Sequence, residues 1–472
     1  MACHWPSGSQ KPHHPQSGTF LSHGEMCYVT EKPKTIESYF EVVSQVLFEY
    51  PDYPLEFWRV LGAVLVTLGN EKREIRMKSA KLLRKLEERQ QKNSRLQDFD
   101  ISISDKTTAV YKLAQFEISK RLASQHSDLA FSIFSEFSLH FRSLRPDSQR
   151  NMVAAILPWV QTMELQVDPN GGPTAKSYML LANLFEITIR CSTVLPNQVQ
   201  ALWQALATGP HGGNVQLVLD FIISICLERK EQNFVEYAKQ MVVFLSGTPA
   251  GSKVIEFFLL QIVPKNMVQE RKELTPPPPD IKSLPYVADL GTVLPVGNKQ
   301  AGLSLGQVAL IFLVDLMVAP VTLALGDVVK LIHIVLILWD HYTVTVQEQA
   351  REMLVHLIHE LIAAKLEDDA PAGARQSVED FVESIRKSDP AVVWKYEENH
   401  GKEEETDDRR VPASMASVTR DVVKFFSFAD EGVGDLWAKE ALNWATSCPV
   451  RHLACRSFQI FRCISTSLDS RM

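Results

Sequence analysis

The sequence predicts an all-α fold, a solenoid of stacked antiparallel helix pairs, on three observations. The most apolar stretch, Leu303 to Leu366, contains a helix that is apolar on nearly all sides, Asp327 to His341, and an amphipathic helix after it. In the second, Val346, Ala350, Leu354 and Leu357 fall at i, i+4, i+8 and i+11, which at about 100° per residue confines them to one narrow face. The same face recurs as Ile75, Ser79, Leu83 and Leu86, and again as Val450, Ala454, Phe458 and Phe461, each time after an apolar helix and a turn. No segment reads as a strand, because apolar runs such as Val218 to Ile225 lie within longer helical periods.

A pair made of one greasy and one amphipathic helix hides its apolar surface only by stacking on further pairs. Each copy has a small residue at i+4, where a neighbouring helix approaches closely, and two carry Arg at i+1, Arg76 and Arg451. The geometry resembles HEAT and armadillo repeats, whose period is roughly 40 to 47 residues. The copies lie farther apart than that, so divergent repeats are expected between them.

Taken in order, residues 1–35 are rich in turn formers and read as a disordered tail. Cys3, His4, His13, His14, His23 and Cys27 lie there, with spacings that match no zinc module. Residues 36–273 form a first solenoid segment, with helices expected over Ile36 to Tyr50, Leu55 to Leu68, Glu71 to Arg95, Asp105 to Gln125, Asp128 to Arg142, Asp147 to Met163, Thr174 to Arg190, Gln198 to Ala207, Asn214 to Glu228, Asn233 to Leu245 and Ser252 to Val263. Pro51 and Pro54 separate the first two, and Ser104, Ser127, Pro146 and Thr174 supply starts that satisfy orphan amides. Residues 274–302, with Pro276 to Pro279 in a row, read as an extended linker, 303–366 as the central helical segment, and 367–417 as an acidic, solvated linker. A helical pair over 418–464 and a tail over 465–472 complete the chain; its last helix has an apolar face and no polar cap, so the chain is expected to be a piece of something longer.

The chain has 472 residues and a net charge of -7, too mild to point to nucleic acid or an anionic membrane. Its seven cysteines are scattered, with Cys191, Cys226 and Cys455 inside helical patterns, which suits a reducing compartment. No apolar signal segment opens the chain, and Val308 to Leu325, nearly long enough to span a bilayer, carries Asp315 and Pro320 and reads as a buried helix. Gly302, Ser304 and Gly306 spell the nucleophile motif of hydrolases, but no strand delivers Ser304, and Ser304 with Gln307 reads instead as a capping box. His211 to Gly213 reads as an interhelical turn, and His356 with His359 as rim histidines of an amphipathic helix. No catalytic residue, cofactor or metal is therefore expected. The one feature that suggests binding is a basic ridge on the helix from Lys72 to Arg95, where Arg76, Lys78, Lys81, Arg84, Lys85 and Arg89 are candidates for docking an acidic protein. Stacking aromatics and nucleic-acid modules are absent from it.

The phrases Asp105 to Ala123, Leu338 to Leu361 and Arg451 to Arg462 make the chain similar to the Furry family of cell-morphogenesis proteins, over about Ile36 to Arg462. The resemblance implies a non-enzymatic scaffold in the cytoplasm, at the cell cortex and sites of polarised growth, binding an NDR-type kinase with its Mob coactivator. The alternative is a general α-solenoid adaptor in nuclear transport or vesicle traffic.

Overall fold

The computed structural model describes residues 33–50, 56–229, 232–269, 277–293, 302–318, 321–363, 373–387, 394 and 412–464. The fold is all-α. Its helices are α1 (Pro33–Glu49), α2 (Phe57–Thr67), α3 (Arg73–Arg89), α4 (Asp100–Ser104), α5 (Thr108–Gln125), α6 (Ala130–Phe141), α7 (Pro146–Thr162), α8 (Ala175–Cys191), α9 (Pro196–Thr208), α10 (Asn214–Arg229), α11 (Gln232–Ser246), α12 (Gly251–Leu259), α13 (Leu290–Val293), α14 (Leu305–Leu316), α15 (Leu325–Ile337), α16 (Val344–Ile358), α17 (Ala374–Arg386), α18 (Ala413–Ser427), α19 (Val433–Ser447) and α20 (Arg451–Ile464). Among the described residues the sole β feature is an isolated bridge between Val167 and Pro173, closed by Gly171 and Gly172 at positive φ.

The chain forms two compact units, one of residues 1–217 with 277–294, the other of 218–276 with 295–472. In the first, α2 is buried from Val60 to Leu65 and is covered by α3, α6 and α7. Trp159 and Trp203 are fully buried, and each indole N–H finds a hydroxyl, Ser119 Oγ and Thr188 Oγ1, both at 2.9 Å. In the second unit α14 is buried almost all round, against α11, α12 and α16, while α15 packs on α16, α19 and α20. Asp315, the lone charge of α14, is met by Lys239 at 3.2 Å. No described helix is long and apolar enough to cross a membrane.

Two of the three expected faces are buried as read: Ile75, Ser79, Leu83 and Leu86 in α3, and Val346, Ala350, Leu354 and Leu357 in α16. The third is displaced. In α20 the buried residues are Leu453, Arg456, Ser457, Gln459, Ile460 and Phe461, so that of the expected face Phe461 is buried, Val450 and Ala454 are half-buried, and Phe458 is 45% exposed. The polar Arg456 and Ser457 take inward positions because buried partners await them, which apolar periodicity does not register.

The linkers differ from their expected form where they are described. The proline-rich segment is docked on α8. Tyr286 exchanges hydrogen bonds with Ser135, its N–H donating to Oγ at 2.8 Å and its carbonyl accepting at 2.6 Å, and its hydroxyl donates to Glu186 at 2.6 Å. Burial first, and then the Glu186 carboxylate, push its phenol up to about 12. Within the acidic segment α17 buries Val378, Phe381, Val382 and Ile385 at helical spacing. Glu397 to Asp408, like the histidines and cysteines of residues 1–32, lie outside the described residues. The helix expected to reach Arg95 stops at Arg89, after which Gln91 and Arg95 adopt positive φ and turn the chain into α4.

Candidate protein interface

Five of the six ridge residues, Lys78, Lys81, Arg84, Lys85 and Arg89, are exposed or half-buried on α3, on the part of its circumference that the buried Ile75, Ser79, Leu83 and Leu86 leave open. Met77, Lys78, Lys81, Arg84, Lys85 and Glu88 line a concavity of about 650 Å³. Lys78 pairs with Glu41 at 2.7 Å, Lys85 with Glu88 at 3.1 Å, and Arg84 makes a two-pronged contact with Asp100 at 3.0 and 3.2 Å. Arg89 donates to the Tyr50 carbonyl at 3.3 Å. Exposed pairs of this kind contribute only about 0–1 kcal/mol each, so a partner carboxylate can replace the internal one at little cost.

Arg76 does not belong to that surface. It is 1% exposed, and its guanidinium donates to four main-chain carbonyls, Asn70 and Glu71 at 2.8 Å, Ile103 at 2.7 Å and Asp105 at 2.5 Å. The Tyr111 ring lies 3.9 Å beneath it. Burial lowers its pKa, yet a guanidinium stays charged. Arg76 is therefore a brace that closes two turns on α3, out of reach of a partner.

The motifs set aside in the sequence take up structural roles. Ser304 Oγ accepts from the Gln307 N–H at 3.3 Å and the Gln307 side chain accepts from the Ser304 N–H at 3.0 Å, completing the capping box. His211 lies in the turn between α9 and α10, 3.8 Å from Glu164. His356 is held between the Val314 carbonyl and Glu352, both at 3.1 Å. No group of three or more His, Cys, Asp or Glu placed to hold a metal occurs among the described residues.

Sequence reasoning missed a second buried arginine. Arg456 pairs with Asp340 at 2.8 Å and donates to Gln459 at 3.0 Å and to the Trp394 carbonyl at 2.7 Å. Its signal was available: 453, 456, 457 and 460 share one helical face, and Leu453 and Ile460 mark that face as buried.

The family described as the cell morphogenesis central region matches residues 19–272 and 285–472. The cell polarity protein mor2 of Schizosaccharomyces pombe is 27% identical over 450 residues, 94% of this chain and 20% of that protein. The cell morphogenesis protein PAG1 of Saccharomyces cerevisiae is 28% identical over 442 residues, 93% of this chain and 18% of that protein. The chain thus spans about a fifth of the length of these relatives. A crystal structure of an engineered protein aligns at 10% identity over 94% of this chain and 98% of its own, with a TM-score of 0.22 that is too low to bear on the fold.

Proposed function

Since this chain belongs to the cell morphogenesis central-region family, of the Furry type, we propose that it is a non-enzymatic scaffold segment in cell polarity and polarised growth. The observation that carries this reading is the family match over nearly the whole chain, joined to the names of the two fungal relatives, a polarity and a morphogenesis protein. The resemblance noted in the sequence supplies the finer proposal: the partners are an NDR-type kinase and its Mob coactivator, met at the cell cortex. The outward face of α3 is the surface proposed for an acidic partner, through Lys78, Lys81, Arg84, Lys85 and Arg89.

Affinity capture with the full chain tests the partner class. A kinase of that type recovered with a Mob protein supports the proposal; transport receptors or coat subunits in their place overturn it. The surface is tested by changing Lys78, Lys81 and Lys85 together to Glu, leaving Arg76 in place. Binding of the captured partner should fall at least tenfold at low salt, with the gap closing as salt rises. Unchanged binding removes α3 from the proposal while leaving the partner class standing.

A further inference from the structure

Trp394 is held the way a bound peptide is held. Its N–H donates to Asp340 Oδ2 at 2.9 Å, and its carbonyl accepts from Arg456 Nη2 at 2.7 Å. Its indole lies parallel to that of Trp339, with centroids 5.8 Å apart and planes 2° from coincidence, and the Arg456 guanidinium is 5.2 Å from its ring. The residue is 3% exposed. Inside a helix, main-chain groups are met by other main-chain groups; here both are met by side chains from other elements, as when a protein reads a bound residue by its main chain.

The receiving groups are also complete without their occupant. Asp340 and Arg456 neutralise each other at 2.8 Å, and Gln459 holds a further guanidinium nitrogen at 3.0 Å. Removing Trp394 therefore strands no lone buried charge, the condition that makes broken buried pairs so costly. The Trp339 face remains to receive another ring.

We propose that Trp339, Asp340 and Arg456 form a recognition site for a tryptophan, filled here by the chain's own Trp394 and open to competition from a tryptophan of a partner segment. The proposal does not depend on the kinase reading. The Asp–Arg pair reads one residue's N–H and C=O, and the ring selects the side chain.

The test uses a labelled peptide of residues 391–398 and the full chain carrying Trp394→Ala. The peptide should bind that chain saturably and at least tenfold more tightly than it binds the wild type, whose site is filled. The same peptide with Ala for Trp should not bind. No binding to a variant with the wild-type circular-dichroism spectrum, equal binding to variant and wild type, or equal binding by the Ala peptide each overturns the proposal. Should Trp394→Ala lose its helical signal, Trp394→Phe decides, since a smaller ring occupies the site less fully: tighter peptide binding than to wild type supports the site, and equal binding sinks it.

Discussion

Among the described residues each unit buries one arginine, and the two are satisfied by different chemistry. Arg76 in α3 is caged by four neutral carbonyls and a tyrosine ring, with ligands drawn from the two turns it closes. Arg456 in α20 is matched by a carboxylate and spends one remaining donor on the carbonyl of Trp394. Carbonyls carry only partial charge, so the cage works as a set: each lost ligand leaves the cation less well solvated. A carboxylate settles the charge at once, which frees the other donors to hold something that can leave. The first arrangement suits a permanent brace, the second a clamp.

The comparison breaks most visibly at Arg456. Arg456→Met leaves the Asp340 carboxylate, whose side chain is 10% exposed, without its partner and should cost about 3–5 kcal/mol in denaturant unfolding. Changing both members of the pair to apolar residues should recover much of that loss, because the penalty comes from the stranded charge. Arg76→Lys is the matching test in the first unit. A point charge on a flexible stem cannot meet four carbonyls at once, and the loss should be about 2–3 kcal/mol, read as faster amide exchange around Ile103 to Asp105. If Arg76→Lys proves as costly as Arg456→Met, the distinction between cage and clamp fails.

Local order was legible in this sequence and distant partnership was not. The faces of α3 and α16 follow from a 3.6-residue period, and the Ser304 to Gln307 box is complete within four positions, so neither needs tertiary knowledge. The fate of Arg76 rests on carbonyls 27 and 29 residues away, and composition alone placed it with the lysines of its helix. Its spacing nonetheless gave a clue, since 76, 80 and 83 share a face with the buried Ala80 and Leu83. The proline-rich segment read as a connector because its anchors, Ser135, Asn183 and Glu186, lie 100 or more positions upstream in sequence. The phrases that carry the family resemblance also supply members of the two arginine sites: Asp105 and Tyr111, then Trp339 and Asp340, then Arg456 and Gln459. Apolar core positions accept many side chains of similar size, whereas a buried donor needs its own acceptor, so polar cores leave sharper sequence traces.

The smallest expected effect sharpens the comparison by adding a buried base that stays uncharged. His333 in α15 is fully buried; the Trp437 indole donates to Nδ1 at 3.3 Å, which leaves Nε2 to donate to Ser457 Oγ at 3.0 Å. A second proton on Nδ1 would displace the indole donor in a site without a counter-ion, and burial pushes the imidazole pKa down to about 3. Because the folded pKa lies below the unfolded one, the unfolded chain binds the extra proton between about pH 6.5 and 3. Stability from this group is whole above that window and falls as pH drops through it, by about 1.4 kcal/mol per unit, so going from pH 7 to 5 should cost about 2 kcal/mol. Burial also lowers His341, to about 4, and His452, and both add to the slope in the same direction. The urea midpoint, followed by the fluorescence of Trp437 and Trp444, should fall more steeply with acid in the wild type than in His333→Gln, which retains a donor and an acceptor but no titrating group. Parallel slopes would mean that the imidazole is already protonated when buried, and that this unit tolerates an uncompensated charge where the arginine pair indicates it does not.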